Sequence, residues 1–285
     1  MATLAVFNPK GGVGKTTLAV NLAYEAAASG FRTLLWEVDE QGDSPWLVED
    51  EPIVRRASPH WIPGALDVKT QIRPTRFERL SLIASDAMMR RTDNWFADMA
   101  RGQRLARLFA ELEREFDVIL LDCAPGFGDA NRTIMQCAHV VIVPSLPAPL
   151  ALRGVTRLRD FMVKHRGAQA PILPVYSMVD KRRKLHREAI MEHPDWPVIP
   201  MRSDIEAMTR DKAPLGASAP NSPSRTLFRS LWTGIHRKLT TMRVIRSLVT
   251  GQTAAPAPLP AAPRTTRPKP GSRLWPAYQP DSSGI

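Results

Sequence analysis

Between residues 10 and 17 the chain reads Lys10-Gly11-Gly12-Val13-Gly14-Lys15-Thr16-Thr17, and these residue types at this spacing can hold a polyphosphate. The glycines let backbone N–H groups turn inward and cradle β- and γ-phosphate oxygens with no Cβ in the way. Lys15 adds a positive charge at the β/γ position, and Thr16 can ligate Mg²⁺ through its hydroxyl. An apolar run (residues 2–7) precedes the motif, and a segment rich in helix formers (16–29, stopped by Gly30) follows it. The N-terminus of that helix adds partial positive charge at the same spot. The strict pattern would carry glycine at position 9, where this chain has Pro9, and Lys10 stands next to it. By position alone, Lys10 could contact its own phosphate or that of a second copy.

Two acidic segments could complete a site. Asp122 ends the apolar run Val118-Ile119-Leu120-Leu121, and a carboxylate at the C-terminal edge of a parallel sheet points into the ligand crevice. There it can hold a magnesium-bound water. The segment 37–43, Glu37-Val38-Asp39-Glu40-Gln41-Gly42-Asp43, ends a second run in the same way. Gly126 and Gly128 give the loop after Asp122 freedom to reorder. Cys123 and Cys137 are the only cysteines, too few for a disulfide framework or a four-thiolate metal site. Both read as small buried apolar residues.

The elements that must position these groups alternate strand and helix. Residues 2–7, a helix 16–29 and a strand 32–38 open a parallel α/β sheet. Further strands are expected at 80–84, 117–122, 139–143, 172–178 and 197–199. The continuous apolar runs 117–122 and 139–143 fit central strands covered on both faces. Helices are expected at 103–115, with Leu105, Leu108, Phe109 and Leu112 on one face, at about 150–165 and 182–192, and over about 222–249. Residues 44–100, with Trp46, Trp61 and Trp95, are otherwise hard to read. The fold class is therefore α/β, a doubly wound, mainly parallel sheet with flanking helices in a single domain, residues 1–250. Residues 251–285 hold Pro and Ala with no apolar periodicity and read as a disordered tail.

At 285 residues and 44% apolar composition the chain can bury a full core. No stretch approaches the roughly 18 apolar residues of a membrane span. The N-terminus lacks the marks of a signal peptide, so a cytoplasmic setting is expected. The net charge of +11 lies in the C-terminal part of the folded region, residues 151–250, while residues 1–150 are slightly acidic. This asymmetry points to a polyanionic partner.

The loop KGGVGKTT resembles the deviant P-loop of the ParA/MinD family, whose first lysine is its signature. The segment 37–43 resembles that family's D-x-D-P-Q-G-N switch I, with Glu37 for the first Asp and Glu40 for the Pro. Asp122-Cys123-Ala124-Pro125-Gly126 resembles its D-x-P-P switch II, with Ala124 for the first Pro. The resemblance continues through 140–155, 176–188, 198–208 and 213–224, covering about residues 2–248. It implies a P-loop NTPase fold, ATP and Mg²⁺ as cofactors, and ATP hydrolysis. Lys10 would cross a dimer interface to the partner's nucleotide. Asp39 would position the attacking water and approach the magnesium alongside Thr16 and Asp122. Met178 and Pro200 would fall in the loops that hold the adenine. The resemblance further implies a homodimer on ATP binding, non-specific DNA binding in that state with nucleoid association, and stimulation by a ParB-like partner. The cargo would be a plasmid, a chromosome or a protein cluster.

The cations that could carry DNA binding are Arg182, Arg183, Lys184 and Arg187, beside Lys181, then Arg202, Arg225 and Arg229. A helix N-terminus disfavours cations, so the run at 181–184 is odd as a stabilising device. On one face these groups would grip phosphates without reading bases. With the fold expected to begin at residue 2, no N-terminal operator-binding domain is expected. Two alternatives differ in class. One is a MinD-like membrane-cycling ATPase, using the apolar stripe Phe228, Leu231, Trp232, Ile235, Leu239, Met242, Ile245 and Val249. The tail after that helix counts against it, and no stable membrane association is expected. The other is a metabolic P-loop enzyme such as an amide-forming synthetase.

Overall fold

The computed structural model describes residues 1–39, 43–49, 68–85, 104–166, 170–242 and 244. Eight strands form one sheet: β1 (Ala2–Val6), β2 (Thr33–Glu37), β3 (Arg73–Pro74), β4 (Leu80–Ile83), β5 (Val118–Asp122), β6 (Val140–Ser145), β7 (Ile172–Val179) and β8 (Val198–Pro200). Their spatial order is β3-β4-β2-β5-β1-β6-β7-β8, every neighbouring pair parallel except β3 with β4. The α/β, doubly wound, mainly parallel single-domain class is thus the observed one.

Alternation along the strands sends side chains to two separate cores. Leu4, Val6, Leu35, Leu120 and Ile142 face one side, where they meet α1 (Lys15–Ala28), α2 (Ser44–Val48), α7 (Ser203–Asp211), α8 (Leu215–Ser218) and α9 (Pro223–Thr241). Ala5, Phe7, Leu34, Trp36, Leu121 and Val143 face the other side. There they meet α3 (Arg104–Leu112), α4 (Asp129–Cys137) and α5 (Pro149–Arg166). Strands covered on both faces are apolar at nearly every position, which is why β1, β5 and β6 read as near-continuous runs. Beyond these layers, α6 (Lys184–Glu192) packs Ala189 against Tyr176 and Val179.

Local chemistry sets the helix ends. Helix α1 follows Gly14 at φ 82 and stops at Gly30, φ 95, where the Gly30 and Phe31 N–H groups bond back to Ala27 and Ala26. Ser222 caps α9 by accepting the Arg225 N–H at 3.0 Å, and Pro223 occupies the first turn. Helix α3 is shorter than the expected 103–115, and Leu108, Phe109 and Leu112 of its apolar face are buried. The side chain of Leu105 lies outside the described residues. Two expectations shift. The helix expected from 182 begins at Lys184, because Asp180 accepts the Arg182 N–H and the Arg183 N–H to form a turn first. Lys181 and Arg182 therefore precede the helix, while Arg183 is its N-cap and Lys184 its first residue. The helix expected over 222–249 is observed as Pro223–Thr241, and the tail from 251 lies outside the described residues. Short elements such as α2, β3 and α8 were too brief to show a period, and α7 also went unread.

Candidate functional site

The sheet puts its chemistry at one edge. In register, Val6 pairs with Asp122 and Glu37 pairs with Asp122, so the C-terminal ends of β1, β5 and β2 lie side by side. The glycine loop leaves β1 at the same place. Gly12 (φ 69) and Gly14 (φ 82) adopt backbone conformations that L side chains rarely take. A Cβ on Gly11 or Gly12 would meet no protein atom within 4 Å, whereas one on Gly14 would stand 3.0 Å from Ser177 Oγ. The first two glycines border an open cradle, and the third allows a close approach to β7.

Asn8, which the sequence reading missed, fixes the entry to the loop. It is buried, donates to the Pro144 carbonyl at 2.7 Å, and accepts the Lys10 N–H at 2.9 Å. Pro9 accepts the Gly126 N–H at 3.1 Å, which ties the loop after Asp122 to the phosphate loop. Asn131 on α4 holds that second loop by donating to the Ala124 and Gly126 carbonyls, each at 2.9 Å. The sequence carries no local signal for either asparagine, since their partners lie across the fold or in a loop of no regular period.

Lys15 is buried beside Asp122, and Thr16 hydrogen bonds the Asp122 carboxyl. Val13 is buried, while Thr17 lines an adjoining cavity. Burial, first of all, pushes Asp122 up to about 7, with the nearby Asp39 charge adding to it and Thr16 and Lys15 opposing. Asp122 Oδ2 accepts from Ser44 Oγ at 3.4 Å, while Oδ1 is buried with no hydrogen-bond partner. A buried carboxylate oxygen without a partner, a neighbouring threonine hydroxyl and a facing carboxylate form a hard oxygen donor set that fits Mg²⁺.

Glu37 is fully buried, and burial pushes it up to about 8. Its Oε1 accepts the Ser44 N–H at 2.7 Å and its Oε2 the Ser85 N–H at 3.1 Å. The position that departs from the family pattern therefore closes the acidic segment at its base, linking β2 to α2. Asp39 is half-buried at the mouth of the site. Glu40, Gln41 and Gly42 lie outside the described residues. Lys10 is exposed, with Nζ 3.1 Å from the Leu150 carbonyl at the start of α5.

Met178 and Pro200 come together in a cavity of about 250 Å³ that opens beside Gly14 and is completed by Ser177, Glu206 and Thr209. Met178 is partly exposed, at φ 54. The basic residues do not behave alike. Arg182, Arg183, Lys184, Arg187, Arg202 and Arg229 are exposed. Arg182 pairs with Asp180, Lys184 with Glu188 and Arg202 with Asp204, exposed pairs of small worth. Arg225 differs from these six. Its side chain is 22% exposed and bonds Glu25 at 3.0 Å and the Pro220 carbonyl at 3.1 Å, so it ties α9 to α1.

Cys123 is buried, and its thiol is pushed well up by burial. Among the described residues no three His, Cys, Asp or Glu side chains cluster to hold a metal ion. Among them, too, no helix is long and apolar enough to cross a membrane.

Residues 1–172 match the family model described as the AAA domain. The chain is 31% identical over 196 residues to the chromosome partitioning protein ParA of Caulobacter vibrioides, covering 66% of this chain and 73% of that protein. It is 29% identical over 196 residues to the chromosome-partitioning ATPase Soj of Treponema pallidum, covering 67% and 76%. A solved structure of cobyrinic acid a,c-diamide synthase from Mycobacterium smegmatis, with bound ATP analogue and magnesium, superposes with a TM-score of 0.68. At 24% identity over 88% of this chain and 100% of that one, this is a likeness of fold. With its phosphate loop at the end of β1 and its facing carboxylates at the ends of β2 and β5, the chain belongs to the ParA/MinD family of P-loop ATPases.

Proposed function

We propose that this protein is an ATP-dependent dimerising ATPase. In its ATP state it binds DNA non-specifically and positions a plasmid, a chromosome or a protein cargo, and a ParB-like partner stimulates hydrolysis. One observation carries the reading: Asp122, whose carboxyl interacts with Lys15 and Thr16 of the glycine loop, has a buried Oδ1 without a hydrogen-bond partner. A buried carboxylate oxygen left without a partner calls for a ligand.

In this reading residues 1–250 form the ATPase domain. Gly11, Gly12, Val13, Gly14, Thr16 and Thr17 present backbone and hydroxyl groups to the phosphates, and Lys15 neutralises β/γ charge. Thr16, Asp122 and Asp39 would hold Mg²⁺, which when bound draws charge from the phosphate oxygens. Asp39 orients the water that attacks the terminal phosphorus. As the bond to the bridging oxygen breaks, ADP takes the electron pair, and the proton shed by the water passes to the released phosphate. Met178 and Pro200 flank the adenine. Lys10 trades its exposed contact with the Leu150 carbonyl for the partner subunit's phosphates, so each site is incomplete until a second copy docks.

Arg182, Arg183, Lys184, Arg187, Arg202 and Arg229 supply the DNA face, and Arg225 contributes only through the fold. Of the stripe behind the membrane-cycling alternative, Phe228, Leu231, Trp232, Ile235 and Leu239 are buried in the core, Met242 is partly exposed, and Ile245 and Val249 lie outside the described residues. Co-sedimentation with non-specific DNA and with anionic liposomes, under ATP and under ADP, tests the proposal. DNA retention with ATP alone is expected. Retention on liposomes and not on DNA would sink it.

A further inference from the structure

The acidic end of the site and the wall of the cavity beside the phosphate loop are joined through one side chain. Trp46 on α2 donates its indole N–H to the Thr209 carbonyl at 2.9 Å, and Thr209 lines the cavity from α7. The ammonium of Lys212 sits 3.9 Å from the centre of the Trp46 ring. Lys212, at φ 50, terminates α7, and its carbonyl accepts from Arg76. The other end of α2 is held by Ser44, whose N–H reaches Glu37 at 2.7 Å and whose hydroxyl reaches Asp122 at 3.4 Å.

Helix α2 has five residues and no side-chain cap at its N-terminus. So short a helix has little stability of its own. Its position is set by what it is fastened to: the carboxylates at one end, the cavity wall at the other, and Leu47 and Val48 in the core beneath.

We propose that Trp46 is a positioning residue that couples filling of the cavity to the placement of Ser44 and Asp122. A triphosphate carrying a base is then turned over faster than one without. The inference rests on reading the site as an ATP site. A base seated against Thr209 restrains the C-terminal half of α7, the indole bond passes that restraint to α2, and Ser44 then holds Asp122 Oδ2 in one place. In this proposal Trp46 acts through Ser44.

The test uses the full-length protein with W46F and W46A, assayed with saturating ATP and with inorganic tripolyphosphate. Amide hydrogen exchange over residues 43–49 is read with and without AMPPNP. Phenylalanine keeps a ring under Lys212 and removes only the indole donor. Trp46 is 42% exposed, so both variants should fold, and their circular dichroism checks this. The ATP KM should stay within about twofold, because no phosphate-loop group changes, while kcat for ATP falls about five- to tenfold, the worth of one hydrogen bond. Turnover of tripolyphosphate should not change, and AMPPNP should no longer slow exchange at Ser44 and Glu49. An unchanged ratio of the two kcat values in W46F overturns the proposal, as does an equal loss with both substrates or exchange protection that survives. Absence of ATP turnover by the unsubstituted protein overturns the ATP reading and this proposal with it.

Discussion

Replacing Arg225 by alanine separates what holds α9 in place from what contacts DNA. The guanidinium reaches Glu25 at 3.0 Å and the Pro220 carbonyl at 3.1 Å. The Glu25 side chain is 4% exposed, and the close approach of α8 at Gly216 leaves it little room, since a Cβ there would stand 2.9 Å from its Oε1. Removing the arginine strands a carboxylate in that space. Breaking a fully buried pair costs about 3–5 kcal/mol, and because Arg225 is 22% exposed the loss here should be about 2–4 kcal/mol. For a domain of this size that lowers Tm by about 5–12 °C. Urea unfolding at neutral pH reads the loss directly. A second variant, E25L/R225M, should recover most of it, since an apolar pair of similar volume needs no compensation. At a temperature where R225A is folded, its ATP-dependent DNA retention should equal that of the unsubstituted protein. Unfolding at the original urea midpoint together with weakened retention would refute the argument and return Arg225 to the DNA face.

Other outcomes follow from the same geometry. Lys15→Ala should abolish nucleotide binding, measured with a fluorescent ATP analogue, because it removes the buried ammonium of the glycine loop beside Asp122. Charge reversal at Arg182 and Arg183 should remove DNA retention and steepen no other property; ATP turnover in the absence of DNA should be unchanged. Glu37 gives a pH signature in metal-free buffer. Its folded pKa of about 8 lies above the ordinary value of 4.5, so the folded protein binds the extra proton. Its contribution is therefore present at low pH and is lost as pH rises through 8. E37Q should accordingly gain stability relative to the parent by about 1 kcal/mol per pH unit between pH 5 and 8, and a flat difference would contradict the burial argument.

How much of this was legible in the sequence depends on the range of the interactions. The phosphate loop could be read because backbone geometry demands glycine at positions such as Gly12 and Gly14, and a demand of that kind is local. Asp122 could be read because the four apolar residues before it, in a two-faced strand, point to the sheet edge. The pairing of Arg225 could not be read because its partner, Glu25, is 200 residues away, and no charge pattern reveals which arginine turns inward. Asn8 and Asn131 were invisible for a similar reason: a buried amide bridging two loops has no periodicity. Helix α2 escaped notice because five residues cannot display a helical period, and its placement comes from Glu37, Asp122 and Thr209 instead of from its own sequence.

The central claim is that the triphosphate site is completed by a second copy of the chain. Light scattering on D39A, which should bind ATP and magnesium without hydrolysing them, measures this most directly. A species of twice the 31.7 kDa chain mass is predicted with ATP and magnesium, reverting to monomer when Lys10→Ala is added. A monomer carrying bound ATP in D39A would contradict the account.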